Sequence, residues 1–328
     1  MSNLESATNG PNNASNHLLE KVVAILRSKY LKILALIILA VFPLFVDNPY
    51  YIHVANLMLY YIMVSVSLDL QAGLLGILSF GQIGFVAIGA YTVSILTLSV
   101  WHQWWGFWLA LLIGGTLAGL IGLLVGLSTF RIRGDYFAIV SLGFGEVIRY
   151  IILNWTSVTR GPLGLSGVPT PKILSLSIST RGQFYWLILV LAVLTVLLAL
   201  RMKKSYLGRA WIAIREDELA AESMGINLVY YKVINIAISG AIAGVAGGFF
   251  AVYFNYINPS SFVSNESLNI LTMVILGGAG SIWGAVAGAG MLTILPEILR
   301  PIAQYRMIIF GVLMLLFMIF RPKGVLGK

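Results

Sequence analysis

YFAIVSLGFGEVIRYIIL, residues 136–153, is a run of apolar and small side chains interrupted near its middle by Glu146 and Arg149. As a helix rising about 1.5 Å per residue it is long enough to cross a hydrocarbon core of roughly 30 Å. Comparable runs lie at 31–46, 52–70, 74–99, 107–130, 184–200, 232–254, 268–297 and 305–320. Of the 328 residues, 59% are hydrophobic and 10% charged, with a mean hydropathy of +0.92. A soluble domain carries about 25% charged residues, so part of this surface must face lipid. The expected fold is all-α, a polytopic transmembrane bundle of about nine or ten spans with glycine-broken helices.

The net charge of +9 comes from basic residues scattered between apolar runs, not gathered on one surface. That pattern fits cytoplasmic loops better than a nucleic-acid patch. There are no cysteines, and His17, His53 and His102 lack metal-ligand spacing, so no metal site is expected. Residues 1–29 read as a cytosolic tail, disordered at its Asn- and Ser-rich start, followed by a retained span and not a cleaved signal. A membrane-spanning domain is expected at 30–321, and 322–328 as a cytosolic tail.

With the N-terminus inside, the basic segments before 31, at Arg131 and Arg133, and at Arg201 to Arg215 all fall inside. Nine single crossings would put RPKGVLGK outside. The conflict disappears if 268–297, interrupted by LGGAGSIWGAVAGAG, enters and returns as two short helices. A second glycine-rich break is expected within 72–91, beside Gln71, Ser79 and Gln82. Paired, glycine-interrupted segments mark translocation paths, so Gln71, Ser79, Gln82, Gly277, Gly278 and Gly280 are path candidates. Gly115, Gly119, Gly122 and Gly126, like Gly240, Gly244 and Gly248, are spaced for close helix packing.

The longest charged stretch, RMKKSYLGRAWIAIREDELAAESMGINLVYY at 201–231, alternates Trp211, Ile214, Leu219 and Met224 with Arg215, Glu216, Asp217, Glu218 and Glu222. It fits a short amphipathic helix at the cytoplasmic face, and equally a solvated loop helix with internal charge pairs. The Gly-, Pro- and Ser-rich segment 154–183 reads as an extracytoplasmic connection.

No phosphate-binding GxxxxGK[ST] loop occurs, and no nucleophile, base and orienting acid stand in a recognisable arrangement. The chain is not expected to be an enzyme. Glu146 and Arg149 lie at membrane depth, where a charge costs at least ~2.5 kcal/mol and normally finds a partner. Their i,i+3 spacing allows a structural ion pair, and they also serve as candidates for a charged lining of a solute route. Asp69, near the inner end of its span, is expected to reach the interface.

Four motifs occur in order: RGDYFAIVSLGFGEVIR at 133–149, GRAWIAIREDELAAESMGIN at 208–227, VILGGAGSIWGAVAGA at 274–289 and YRMIIFGVLMLLFMIFRPKGVL at 305–326. Together they resemble the branched-chain amino-acid ABC importer permeases of the LivM type, over roughly residue 50 to the C-terminus. A urea and short-amide permease branch is similar in the same places. The resemblance implies a bacterial inner-membrane subunit with the ABC importer permease fold. It pairs with a second related permease, two cytoplasmic ATPases that use ATP and Mg, and an extracytoplasmic solute-binding protein. The subunit itself binds no cofactor. The resemblance also makes 201–231 the ATPase-docking loop, with Arg215, Glu216, Asp217, Glu218, Glu222 and Gly225 as coupling residues. LAAESMG at 219–225 departs from the pattern E-A-A-x-x-x-G, with Leu219 at the first Glu and Glu218 one place earlier. An ion-coupled secondary transporter is the alternative from another class, with Glu146 as its mid-membrane acid.

Overall fold

The computed structural model describes residues 48–99, 106–129, 135–173, 176–299 and 324–326, with isolated positions 39, 41–43, 45 and 311. The chain divides into two units, 1–48 and 49–328, and the second carries the fold. The expected spans at 31–46 and 305–320 lie almost wholly outside the described residues.

Six helices among the described residues are long and apolar enough to cross a membrane. In chain order these are α1 (Pro49–Asp69, continued by a π-helical turn at Leu70–Leu75), α2 (Gln82–Ser99), α3 (Gly106–Thr129), α4 (Asp135–Asn154) and α5 (Arg181–Lys204). After two short helices, α6 (Tyr206–Glu216) and α7 (Glu218–Ser223), comes the sixth, α8 (Leu228–Phe254). Then α9 (Ser264–Gly277) and α10 (Ile282–Ile298) stand where a single long span was in question. The starts are set by local chemistry. Thr180 and Gln183 form a capping box for α5, and the side chains of Ser205, Asn227 and Ser281 cap α6, α8 and α10.

The glycine ribbons pack as their spacing requires. Gly115, Gly119, Gly122 and Gly126 of α3 meet Val245, Ala241, Ala237 and Val233 of α8, a falling series that makes the two helices antiparallel. Gly240, Gly244 and Gly248 of α8 meet Phe85, Gly89 and Val93 of α2, a rising series that makes this pair parallel. With no side chain between them the backbones approach closely, which is how helices associate in lipid.

Contacts along α1 give the direction of α9. Tyr61 bonds Glu266, Ser65 bonds Met273, and Asp69 bonds Gly280, so α1 and α9 run the same way. Gly277 packs on Gly284 and Gly288 on Met273, so α10 returns antiparallel. The expected entry and return within 268–297 is therefore a hairpin whose tip, 278–281, lies level with Asp69. We refer to that end, which carries Lys203, Lys204 and Arg215, as inner. Arg181 donates to Pro49 O at the opposite, outer end.

At the outer end, β1 (Leu165–Ser166) pairs antiparallel with β4 (Tyr256–Ile257), and β2 (Lys172–Ile173) with β3 (Leu176–Ser177). The first ladder ties the 154–183 connection to the end of α8, and the second closes a hairpin within that connection.

Candidate functional site

Asp69 is fully buried, not turned to the interface as its position near a span end led us to expect. Its Oδ1 accepts from Gly280 N at 2.7 Å, and its charge feels Lys203 and Arg215. Arg215 Nη1 donates to Gly73 O at 2.7 Å, and Lys203 Nζ donates to Gly280 O. One knot thus joins the π-helical turn, the hairpin tip, the end of α5 and the end of α6. Glycine is obligatory at its centre. Gly280 has φ +83°, and a Cβ there would sit 2.7 Å from Arg215 Nη1 and 2.9 Å from Gly73 O. A Cβ on Gly73 would land on Asp69 and on the Gly280 nitrogen. The chain's end closes the same region, with Val325 N donating to Leu276 O at 2.9 Å and Leu326 N to Gly277 O at 3.0 Å.

Outward of the knot lies a buried polar lattice. Gln82 Nε2 donates to Ser67 Oγ at 2.7 Å and to Ser239 Oγ at 3.2 Å, and Gln71 Nε2 reaches Gln82 Oε1 at 3.4 Å. Asn235 Nδ2 donates to Leu70 O at 2.8 Å, supplying a donor to a π-helical turn. Gln71, Ser79 and Gln82 are all buried. Gly277, Gly278 and Gly280 sit at the inner end, in or beside the packed hairpin tip.

The charged stretch forms two helices, not one. Asp217 is extended and its Oδ1 accepts from Leu219 N and Ala220 N, which ends α6 and starts α7. This break divides the expected apolar face. Trp211 and Ile214 are buried, with Trp211 Nε1 donating to Tyr231 O at 2.9 Å, while Leu219 and Met224 point outward at 63% and 83% exposure. Arg215 pairs with Glu216 at 2.8 Å and Lys232 with Glu218 at 2.6 Å; Glu222 is exposed. Gly225, at φ +85°, follows α7 where the chain turns back. The D-E-L-A-A order after Arg215–Glu216 is the cap signal that the reading as a single helix overlooked.

Glu146 and Arg149 form an ion pair at 2.8 Å, their side chains 27% and 20% exposed. Glu146 also accepts from Ser264 Oγ at the start of α9. The carboxylate therefore lies at the positive end of α9. That arrangement and the Arg149 pair offset the cost of an acid on α4, most of whose apolar stretch is exposed. Nearby, Tyr61 OH donates to Glu266 Oε2 at 3.3 Å. No group of three or more His, Cys, Asp or Glu suited to a metal occurs among the described residues.

The pattern that defines the family described as "Branched-chain amino acid transport system / permease component" matches residues 50–319. The chain is 37% identical to the high-affinity branched-chain amino acid transport system permease protein LivM of Escherichia coli, covering 90% of this chain and 74% of that protein. It is 27% identical to a probable branched-chain amino acid transport permease protein LivM of Methanocaldococcus jannaschii, over 82% of this chain and 91% of the other. LivH of Salmonella typhimurium, a permease protein of the same kind of system, is 25% identical over 82% and 91% of the two chains. No solved structure matches the chain. The ordered motifs, the bundle and these similarities agree: this multi-pass membrane protein belongs to the branched-chain amino acid transport system permease family.

Proposed function

We propose that this chain is one of two permease subunits of an ATP-driven importer in a bacterial inner membrane, and that it moves branched-chain amino acids. A second related permease faces it. Two cytoplasmic ATPases, using ATP and Mg, grip α6 and α7 from inside, and an extracytoplasmic binding protein delivers the solute. The chain itself binds no nucleotide and hydrolyses none.

The observation that carries this reading is the knot around Asp69. A segment with exposed Leu219 and Met224 has apolar area to give to a partner, and its Arg215 is bonded to the turn that follows α1. A push on α6 and α7 then displaces Gly73 and, through Asp69 and Lys203, the hairpin tip. Packed elements shift between discrete arrangements more readily than they deform, so a small movement at α6 changes which side of the bundle is open. Glu216, Asp217, Glu218, Glu222 and Gly225 shape the gripped surface, and Arg215 transmits. Changing Glu216, Asp217 and Glu218 together to Ala is expected to uncouple hydrolysis from uptake in the reconstituted complex while leaving the chain in the membrane. Full leucine uptake per ATP in that variant would overturn the docking assignment.

A further inference from the structure

The surface shared by α1, α9 and α10 mixes polar groups with exposed hydrocarbon such as Leu268 and Ile294. α9 turns Asn265 and Asn269 outward and half-exposes Ser264, Glu266 and Thr272. A hollow of ≈ 300 Å³ lies here, bounded by Leu57 and Tyr61 of α1, Asn269, Thr272 and Met273 of α9, and Leu292, Thr293 and Pro296 of α10. Tyr61 is about 18 Å along α1 from Pro49, well inside a core of roughly 30 Å. The outward face of α3 is quite different at Leu112, Leu117, Leu120, Leu124 and Leu127, all exposed hydrocarbon. Polar side chains at this depth belong in a bundle interior or a water-filled cavity. The polar groups of the hollow suit a water-filled cavity, and the all-hydrocarbon face of α3 suits lipid.

The chemistry of the hollow is biased toward acceptors. Thr272 and Thr293 give their protons back to Leu268 O and Ala289 O, at 2.8 and 2.7 Å, so their oxygens face the hollow as acceptors. Pro296 lies inside α10 and has no N–H, which leaves the Leu292 carbonyl without its helical donor. Tyr61, on the wall, has already donated to Glu266, whose carboxylate adds negative charge beside it. The Asn269 amide supplies donors, and Leu57, Met273 and Leu292 supply an apolar wall.

We infer that this hollow holds a zwitterionic aliphatic amino acid during its passage. The α-ammonium faces Glu266, the threonine oxygens and the Leu292 carbonyl; the carboxylate takes the Asn269 amide; the side chain lies on Leu57 and Met273. A neutral amide such as urea brings no cation to set against Glu266 and fits less well. This inference rests on the permease reading and adds to it a place where the solute is held.

Because the chain has no cysteine, single cysteines report cleanly. Asn269→Cys, Thr272→Cys and, as the lipid-facing reference, Leu120→Cys are placed separately in the complete transporter in proteoliposomes and exposed to a charged, membrane-impermeant methanethiosulfonate. The cysteines at 269 and 272 are expected to react at least about tenfold faster than the one at 120, with excess leucine slowing them and excess urea not. Glu266→Gln, in the Asn269→Cys background, is expected to raise the leucine concentration for half-protection about tenfold, the value of one hydrogen bond to a charged group. Reaction as slow as at 120, or reaction that leucine leaves unchanged, overturns the site. ATP-dependent uptake by the unaltered transporter is measured in parallel. Its absence defeats the permease reading, whereas its presence with an inert Cys at 269 defeats only this site.

Discussion

Asp69, Lys203 and Arg215 at the inner end meet in a filled, cross-bonded knot, whereas Asn269, Thr272 and Thr293 line an open hollow. About 12 Å along α1 separates Tyr61 from Asp69, and both regions use the same two partners, α1 and the α9–α10 hairpin. The inner region is filled to the point where Gly280 and Gly73 admit no side chain. The outer one leaves ≈ 300 Å³ unfilled. In the reading proposed above, the filled, cross-bonded region is the one that passes force and the unfilled one is the one that passes solute, in series along one hairpin.

Breaking the filled region is expected to have the largest effects. Gly280→Val forces a β-branched residue to φ +83° and against Arg215, and leucine uptake by the reconstituted complex is expected to vanish. Asp69→Ala leaves Gly280 N–H and two cations without their buried acid, and a loss of about 3–5 kcal/mol in stability is expected from denaturation of the purified chain in detergent. Should Asp69→Ala melt like the parent, the knot is not a structural unit and the contrast with the hollow fails.

Smaller effects sharpen the contrast from the open side. Glu146→Gln weakens a part-exposed ion pair and the bond from Ser264, for an expected cost of about 1–2 kcal/mol in the same unfolding measurement. Leu120→Ala, on the lipid face of α3, is expected to change stability by no more than about 0.5 kcal/mol. If Leu120→Ala cost as much as Glu146→Gln, the face of α3 would be packed on protein, and the division between lipid and wet surfaces would need redrawing.

The bundle was legible because lipid imposes its rules locally. Span lengths, glycine spacing and the interrupted run at 268–297 each report on their own neighbourhood, and the structure has six long helices and a hairpin where those signals lie. Asp69 was not legible. Nothing in SLDLQAG shows that Gly280, far along the chain, returns to donate its N–H. The hollow escaped for a related reason: Asn269, Thr272 and Thr293 are unremarkable in apolar runs until α9 and α10 fold back and align them beside Tyr61. Glu146 and Arg149 drew attention as charges in oil, and the Ser264 partner that completes their setting is likewise a product of topology. For Leu219 and Met224 the signal existed, since Asp217 is a helix-starting residue, and the apolar periodicity of the whole stretch masked it.

In the proposed mechanism the Arg215 bond to Gly73 carries motion from α6 and α7 into the bundle. Arg215→Ala in the reconstituted transporter, with hydrolysis and leucine uptake measured in the same vesicles, tests it most directly. Hydrolysis is expected to continue while leucine moved per ATP falls about tenfold, a coupling energy within the usual range for linked sites. An unchanged ratio of leucine to ATP would contradict the claim.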